Sequence, residues 1–266
     1  MPATVVDGAR SHKAPWLLAI LAAVANIVST AAWSPAARAV GEASAVDLRG
    51  VEHEGGETEP RPNARQRLAW EVRKRTSVDT RLEPTRARLD DPSLFTSPFL
   101  YWSGAEAFPP LSDAEVTGLR RFVELGGFVL IDDASPDHDG FDASIRRTLE
   151  RAFPTTPLTK LPATHTIFRA FYLLERPVGR VRGPDHLWAI ERADRVAVAY
   201  SRHDLGGALA RDNLGTWLHT VTPGGDTQRE QAARLAVNMV MYALCLDYKD
   251  DQVHAPFIMR RRGGAP

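Results

Sequence analysis

Two aspartates in this sequence stand where a strand would end. The run "FVLIDDASPDHDG" passes from apolar residues into Asp132 and Asp133, with Asp137, His138 and Asp139 close behind. Downstream, "ATHTIF" carries His165, and "YSRHDLGG" carries His203 and Asp204 followed by two glycines. Carboxylates and imidazoles are the groups for general acid–base work and for holding a divalent cation or a polar ligand. Asp132, Asp133, His165, His203 and Asp204 are therefore the candidate ligand-binding residues. The sequence assigns none of them a catalytic role or a metal. Each also has a purely structural reading. Asp133 could hydrogen-bond loop amides, Asp137 to Gly140 could be a solvated turn, His165 could start a short helix, and His203–Asp204 could be turn chemistry.

Several chemistries are excluded by spacing. If Gly140 were the turn glycine of a calcium loop, the last ligand position would fall on Arg146, where glutamate is required. There is no G-x-x-x-x-G-K-[ST] phosphate loop and no G-x-S-x-G elbow. The single cysteine, Cys245, lies in "MYALCLDY" and reads as a buried packing residue on a helix rather than a nucleophile. No cofactor is expected.

The elements that must position the acids alternate in period. "PFLYWSG", "FVLID", "LWAIE" and "RVAVAYS" read as strands. Their continuous apolar character suits a sheet covered on both faces. "ARQRLAWEVRKRT", "LSDAEVTGLRRFVELGG", "FDASIRRTLERAF" and "DTQREQAARLAVNMVMYALCLDY" read as helices. Ser112 with Glu115, and Thr227 with Glu230, have the spacing of capping boxes, and Gly126–Gly127 stops the second helix. The fold class expected is α/β, a mostly parallel sheet flanked by helices, with ligands outside the carboxyl ends of the strands. If "FVLID" and "RVAVAYS" end on one edge and "ATHTIF" crosses it, Asp133, His165 and Asp204 converge there.

The 266 residues carry 33 basic and 33 acidic side chains. A neutral chain has no electrostatic footprint for nucleic acid. Residues 1–39 read as a signal peptide. Arg10 and Lys13 precede an apolar core at residues 16–28, and Ala37-Arg38-Ala39 offers a cleavage site. The alternative is an uncleaved anchor; after cleavage no transmembrane helix is expected. Residues 40–63 read as a disordered linker, residues 64–249 as the α/β domain, and residues 250–266 as a flexible basic tail.

The segments "DDPSLFTSPFLYWSG", "FPPLSDAEVTGLRRFVELGGFVLIDD", "FDASIRRTLERAFP", "LPATHTIFRAFY" and "VAVAYSRHDLGG" resemble, in that order, the bacterial domain of unknown function 4159 family. The resemblance implies a flavodoxin-like sheet related to the class I glutamine amidotransferase-like fold. It also implies export or membrane attachment, with envelope or membrane proteins as partners, and no established activity. Thr166 stands where family members often have proline, and His203 where they often have an aromatic residue. Asp133, not a cysteine, follows "FVLID", so an amidotransferase nucleophile is missing. Two functions follow as expectations. One is a non-catalytic ligand- or protein-binding domain in the cell envelope. The other is an Asp/His-dependent hydrolase or carbohydrate-acting enzyme, with or without a metal. Electron transfer through a bound flavin is a third, on fold analogy alone.

Overall fold

The computed structural model describes the backbone of residues 45–262 and the side chains of residues 45–245. The expected signal peptide lies outside the described residues. Seven strands form one sheet in the order β2-β1-β3-β4-β7-β6-β5. They are β1 (Arg49–Glu52), β2 (Arg86–Arg88), β3 (Phe99–Gly104), β4 (Phe128–Asp133), β5 (Thr159–Leu161), β6 (Leu187–Arg192) and β7 (Arg195–Ser201). β2, β1, β3, β4 and β7 run parallel, and β6 is antiparallel to both of its neighbours. The five parallel strands thus follow the 2-1-3-4-5 order of flavodoxin-like sheets.

The helices are α1 (Ala64–Arg75), α2 (Asp113–Glu124), α3 (Asp139–Ala152), α4 (Leu205–Leu209) and α5 (Gly225–Arg262). One layer packs α1, α4 and α5 against Phe99, Tyr101, Phe128 and Leu130. The other packs α2 and α3 against Leu100, Trp102, Val129 and Ile131. Alternate residues of β3 and β4 therefore serve opposite layers, as the pleat requires. That rule sends Asp132 to the α1/α4/α5 side and Asp133 to the α2/α3 side.

The capping box at α2 forms as expected. Ser112 accepts from the Glu115 amide at 3.2 Å, and Glu115 accepts from the Ser112 amide at 2.8 Å. The second box does not form. α5 already begins at Gly225, and Glu230 turns instead to Arg75 of α1, with two contacts of 2.7 and 2.8 Å.

Two boundaries and one connection differ from expectation. Residues 45–63 are not a disordered linker: β1 lies between β2 and β3, with Leu48 and Val51 buried. Only a short stretch of this acidic segment alternates, so its strand character depends on the partners on either side. At the other end the backbone is helical to Arg262, where a flexible tail from residue 250 was expected. Finally, β6 and β7 form a hairpin through Ala193 and Asp194, which take φ values of 50° and 58°. Two consecutive left-handed residues suit the tight reversal, but the pair lacks the glycine that usually announces it.

Candidate functional site

Asp132 is fully buried and accepts three hydrogen bonds. Tyr101 donates its hydroxyl at 2.7 Å, and the amides of Leu205 and Gly206 donate at 2.8 and 2.7 Å. Gly206 is required by this approach. A Cβ there would lie 2.8 Å from the Tyr101 hydroxyl and 3.2 Å from the Asp132 carboxylate. The glycine pair after Asp204 is thus a close-contact device rather than a hinge. Burial, and then the charge of nearby Asp204, push the Asp132 carboxyl up to about 7.

Asp204 is also fully buried, in a left-handed conformation (φ 54°) ahead of α4, where it accepts from the Gly207 amide at 2.8 Å. Arg61 grips it with two donors, at 2.9 and 2.7 Å, and Arg180 pairs with the same Oδ2 that Arg61 Nη2 meets. Arg61 belongs to the segment read as a linker, which explains why it was missed. Asp132 and Asp204 thus form one cluster at the carboxyl edge, as two of the expected five.

Asp133 faces the other layer. Its carboxylate accepts from the Ser135 amide at 2.9 Å and from Arg202 at 3.1 Å. Arg202 reaches on to Asp139 at 3.0 Å and to the Pro136 carbonyl at 2.8 Å. Tyr200 donates to Asp142 at 2.9 Å beside it. Asp133 therefore does not point into a pocket with His165. It lines neither of the cavities described below, and it braces the loop into α3. Asp137 and His138 are exposed, as expected of a solvated turn, but Asp139 and Gly140, expected in the same turn, instead begin α3.

His165 lies at the opposite end of the sheet. It caps a 3-10 turn at Thr166–Arg169, with Nδ1 accepting from the Ile167 amide at 3.2 Å. Its ring meets Tyr242 edge-on at 5.7 Å, and Tyr242 accepts from the amide of Val196, near the start of β7. Val196 precedes Ser201 by five residues, about 16 Å of strand. The convergence of His165 with Asp133 and Asp204 is thus overturned. β5 ends and β6 begins at the carboxyl edge, but between them the 3-10 turn docks by Tyr242 of α5 and carries His165 away from that edge. What remains is the short-helix reading.

His203 is buried beyond the end of β7. Its Nε2 lies 2.8 Å from the Pro184 carbonyl and its Nδ1 3.2 Å from Ser201 Oγ. Since a carbonyl only accepts, Nε2 carries the proton and Nδ1 accepts from the serine. Burial lowers the imidazole to about 4, so it is neutral near pH 7. His203 forms one wall of an open cleft of about 620 Å³, shared with Arg176, Arg182, Asp185, Thr227 and Gln231.

The switch point of the sheet lies between β1 and β3, and it is filled. The ring of His53 packs there against Trp102 at 5.3 Å and Phe108 at 4.6 Å. The cleft thus sits beside β7, away from the position that flavin analogy points to. Among the described residues, no three His, Cys, Asp or Glu side chains converge as a metal site would need. Cys245, expected to be buried, is exposed on α5.

Across residues 47–244 the sequence matches the family described as domain of unknown function DUF4159. The chain belongs to the DUF4159 family. No curated protein matches it. The DUF4159 match begins at Asp47, just ahead of β1, and so takes in the segment that supplies Arg61. Among the described residues of this DUF4159 chain, no helix is long and apolar enough to cross a membrane. Besides Arg61, the residues that sequence reasoning missed are Tyr101, Arg180 and Arg202. Arg202 alone had a local signal, since it directly precedes His203–Asp204.

Proposed function

We propose that this DUF4159 domain is an exported, non-catalytic binding domain that takes an anionic ligand in the cleft beyond β7. The observation that carries this reading is the saturation of the acids and the imidazole. Asp132, Asp133 and Asp204 each accept from at least two donors inside the fold, and both ring nitrogens of His203 are engaged. These groups are engaged in positioning loops: their donors and acceptors all come from within the fold. Arg176 and Arg182, by contrast, are exposed on the cleft wall and favour an anion there. Placement in the cell envelope rests on Arg10, Lys13, the apolar run at residues 16–28 and Ala37-Arg38-Ala39.

The test uses protein expressed with its N-terminus intact and recovered from the envelope fraction, where the first residue is expected to be Val40. Citrate is then titrated against amide chemical shifts. Gly183, Gly224 and Thr227, which edge the cleft, should move and saturate, and the double variant Arg176→Gln/Arg182→Gln should lose the effect. Spermidine should leave these amides unmoved. Recovery of an intact Met1, or cleft amides that ignore citrate and a panel of other carboxylates and phosphates, would contradict the corresponding half of the reading.

A further inference from the structure

Away from that cleft, three guanidinium groups from three elements gather on one indole. Arg211, just after α4, lies 3.6 Å from the ring centroid of Trp217. Arg229 of α5 lies at 4.1 Å, and Arg67 of α1, which stacks on Trp70 at 3.9 Å, reaches the Trp217 ring at 5.7 Å. The three arginines and Trp217 line a second cavity of about 280 Å³. The Nε atoms of Arg67, Arg211 and Arg229 are buried there without a hydrogen-bond partner. A buried unmet donor on a charged group is costly, and three beside one cavity call for a common acceptor. The terminal nitrogens of Arg229 already donate to the Ala208 and His219 carbonyls, each at 2.7 Å, and Arg67 pairs with Glu71, so it is the Nε–H groups, lying in the guanidinium planes, that an oxyanion would meet.

The carboxylates around the cavity do not answer this need. Glu71 is committed to Arg67 and Arg75, and Glu230 to Arg75 and Arg234. Asp226 comes no nearer than 3.9 Å to Arg229 Nε, and its own side chain is 97% exposed. Arg211 makes no ion pair among the described residues. The Arg67 and Arg229 side chains are both held below their ordinary proton affinity, first by burial, with Arg211 adding a like charge. They remain charged all the same, since arginine does not lose its proton near neutrality.

We propose that the Arg67–Arg211–Arg229 cage on Trp217 is a binding site for a phosphate-type oxyanion, separate from the cleft beside β7. A tetrahedral phosphate presents oxygens in several directions and can meet donors arriving from three elements. A planar carboxylate offers two oxygens in one plane. The phosphate could be free or carried on a lipid head group, and Leu214, 92% exposed in the turn between Arg211 and Trp217, makes the second source worth a separate arm.

The experiment titrates the folded protein with inorganic phosphate at constant ionic strength, reading tryptophan fluorescence and heat. A saturable change is expected that chloride does not produce. It should vanish from the fluorescence of Trp217→Phe, which keeps an aromatic face. Arg211→Gln should weaken binding by about tenfold or more, the scale of one charge-assisted hydrogen bond. Arg67→Gln, on a different element, should act in the same direction. A second arm compares vesicles of phosphatidylglycerol with vesicles of phosphatidylcholine. Binding seen only with phosphatidylglycerol assigns the phosphate to a lipid; binding of free phosphate assigns it to a soluble ion. A response absent from both arms, or unchanged in folded Arg211→Gln and Arg67→Gln, overturns the site.

Discussion

Asp132 and Asp133 occupy consecutive positions of β4, pair with consecutive residues of β3, and are both fully buried. Their surroundings nevertheless differ in kind. Asp132 sits among a phenol, two amides and the second carboxylate of Asp204, with Arg61 and Arg180 beyond. Asp133 is matched directly by Arg202, whose guanidinium also reaches the exposed Asp139 at the surface. One cluster is closed and shares charge among several buried groups. The other opens to water within one side chain. The difference shows that a doubled acid at a strand end is two sites, because the pleat divides them between layers.

The largest effect should come from breaking the closed cluster at its centre. Asp204→Ala removes the fully buried carboxylate that Arg61 and Arg180 share, leaving two part-buried cations without it. Loss of one partner from a buried ion pair costs about 3–5 kcal/mol. Urea denaturation should show a fall of that order, and a change under about 1 kcal/mol would mean that the cluster is not under electrostatic tension.

The next effect is one of pH. The folded carboxyl of Asp132, at about 7, is above its ordinary value of 3.8, so the native state holds the proton longer. Its contribution is complete below pH 3.8 and is lost as pH rises through 7. His203 works in reverse. Its folded value of about 4 is below the ordinary 6.5, so its contribution is complete above pH 6.5 and is lost as pH falls through 4. Between about pH 4 and 6.5 the two slopes oppose each other. Asp132→Asn should leave stability rising with pH across that window, and His203→Gln should leave it falling. Two variants with the same slope as the parent, by chemical denaturation at several pH values, would remove the assigned charge states.

The smallest effect belongs to the open cluster. Asp133→Asn keeps an acceptor for the Ser135 amide and leaves Arg202 its bonds to Asp139 and Pro136. A loss of about 1 kcal/mol is expected, with ligand binding in the cleft unchanged. A destabilisation as large as that of Asp204→Ala would erase the contrast between the two sides, and altered cleft binding would return Asp133 to the site.

Much of the fold was legible because its signals are local. The Ser112–Glu115 box, the periodicity of α1, α2 and α3, and the continuous apolar strands each depend on residues a few positions apart. The acids at the end of β4 were legible for the same reason, as was the solvated turn at Asp137 and His138. The exposure of Cys245 was not, since the stretch "MYALC" of α5 looks equally apolar whether or not a layer covers it.

By itself, then, the sequence determined the α/β class, the main helices and the placement of Asp132 and Asp133 at a strand end. Tertiary structure decided which acid meets which partner. Arg61 reaches Asp204 across 143 positions, from a segment that looks like a linker. His165 falls on the far edge because its turn docks against Tyr242 of α5, which itself meets the start of β7 at Val196. The Trp217 cage draws on α1, the turn after α4, and α5. Local propensity carries no term for such meetings. Strand order, the hand of one turn and the alternation of the pleat set them, and each depends on contacts between segments far apart in the chain.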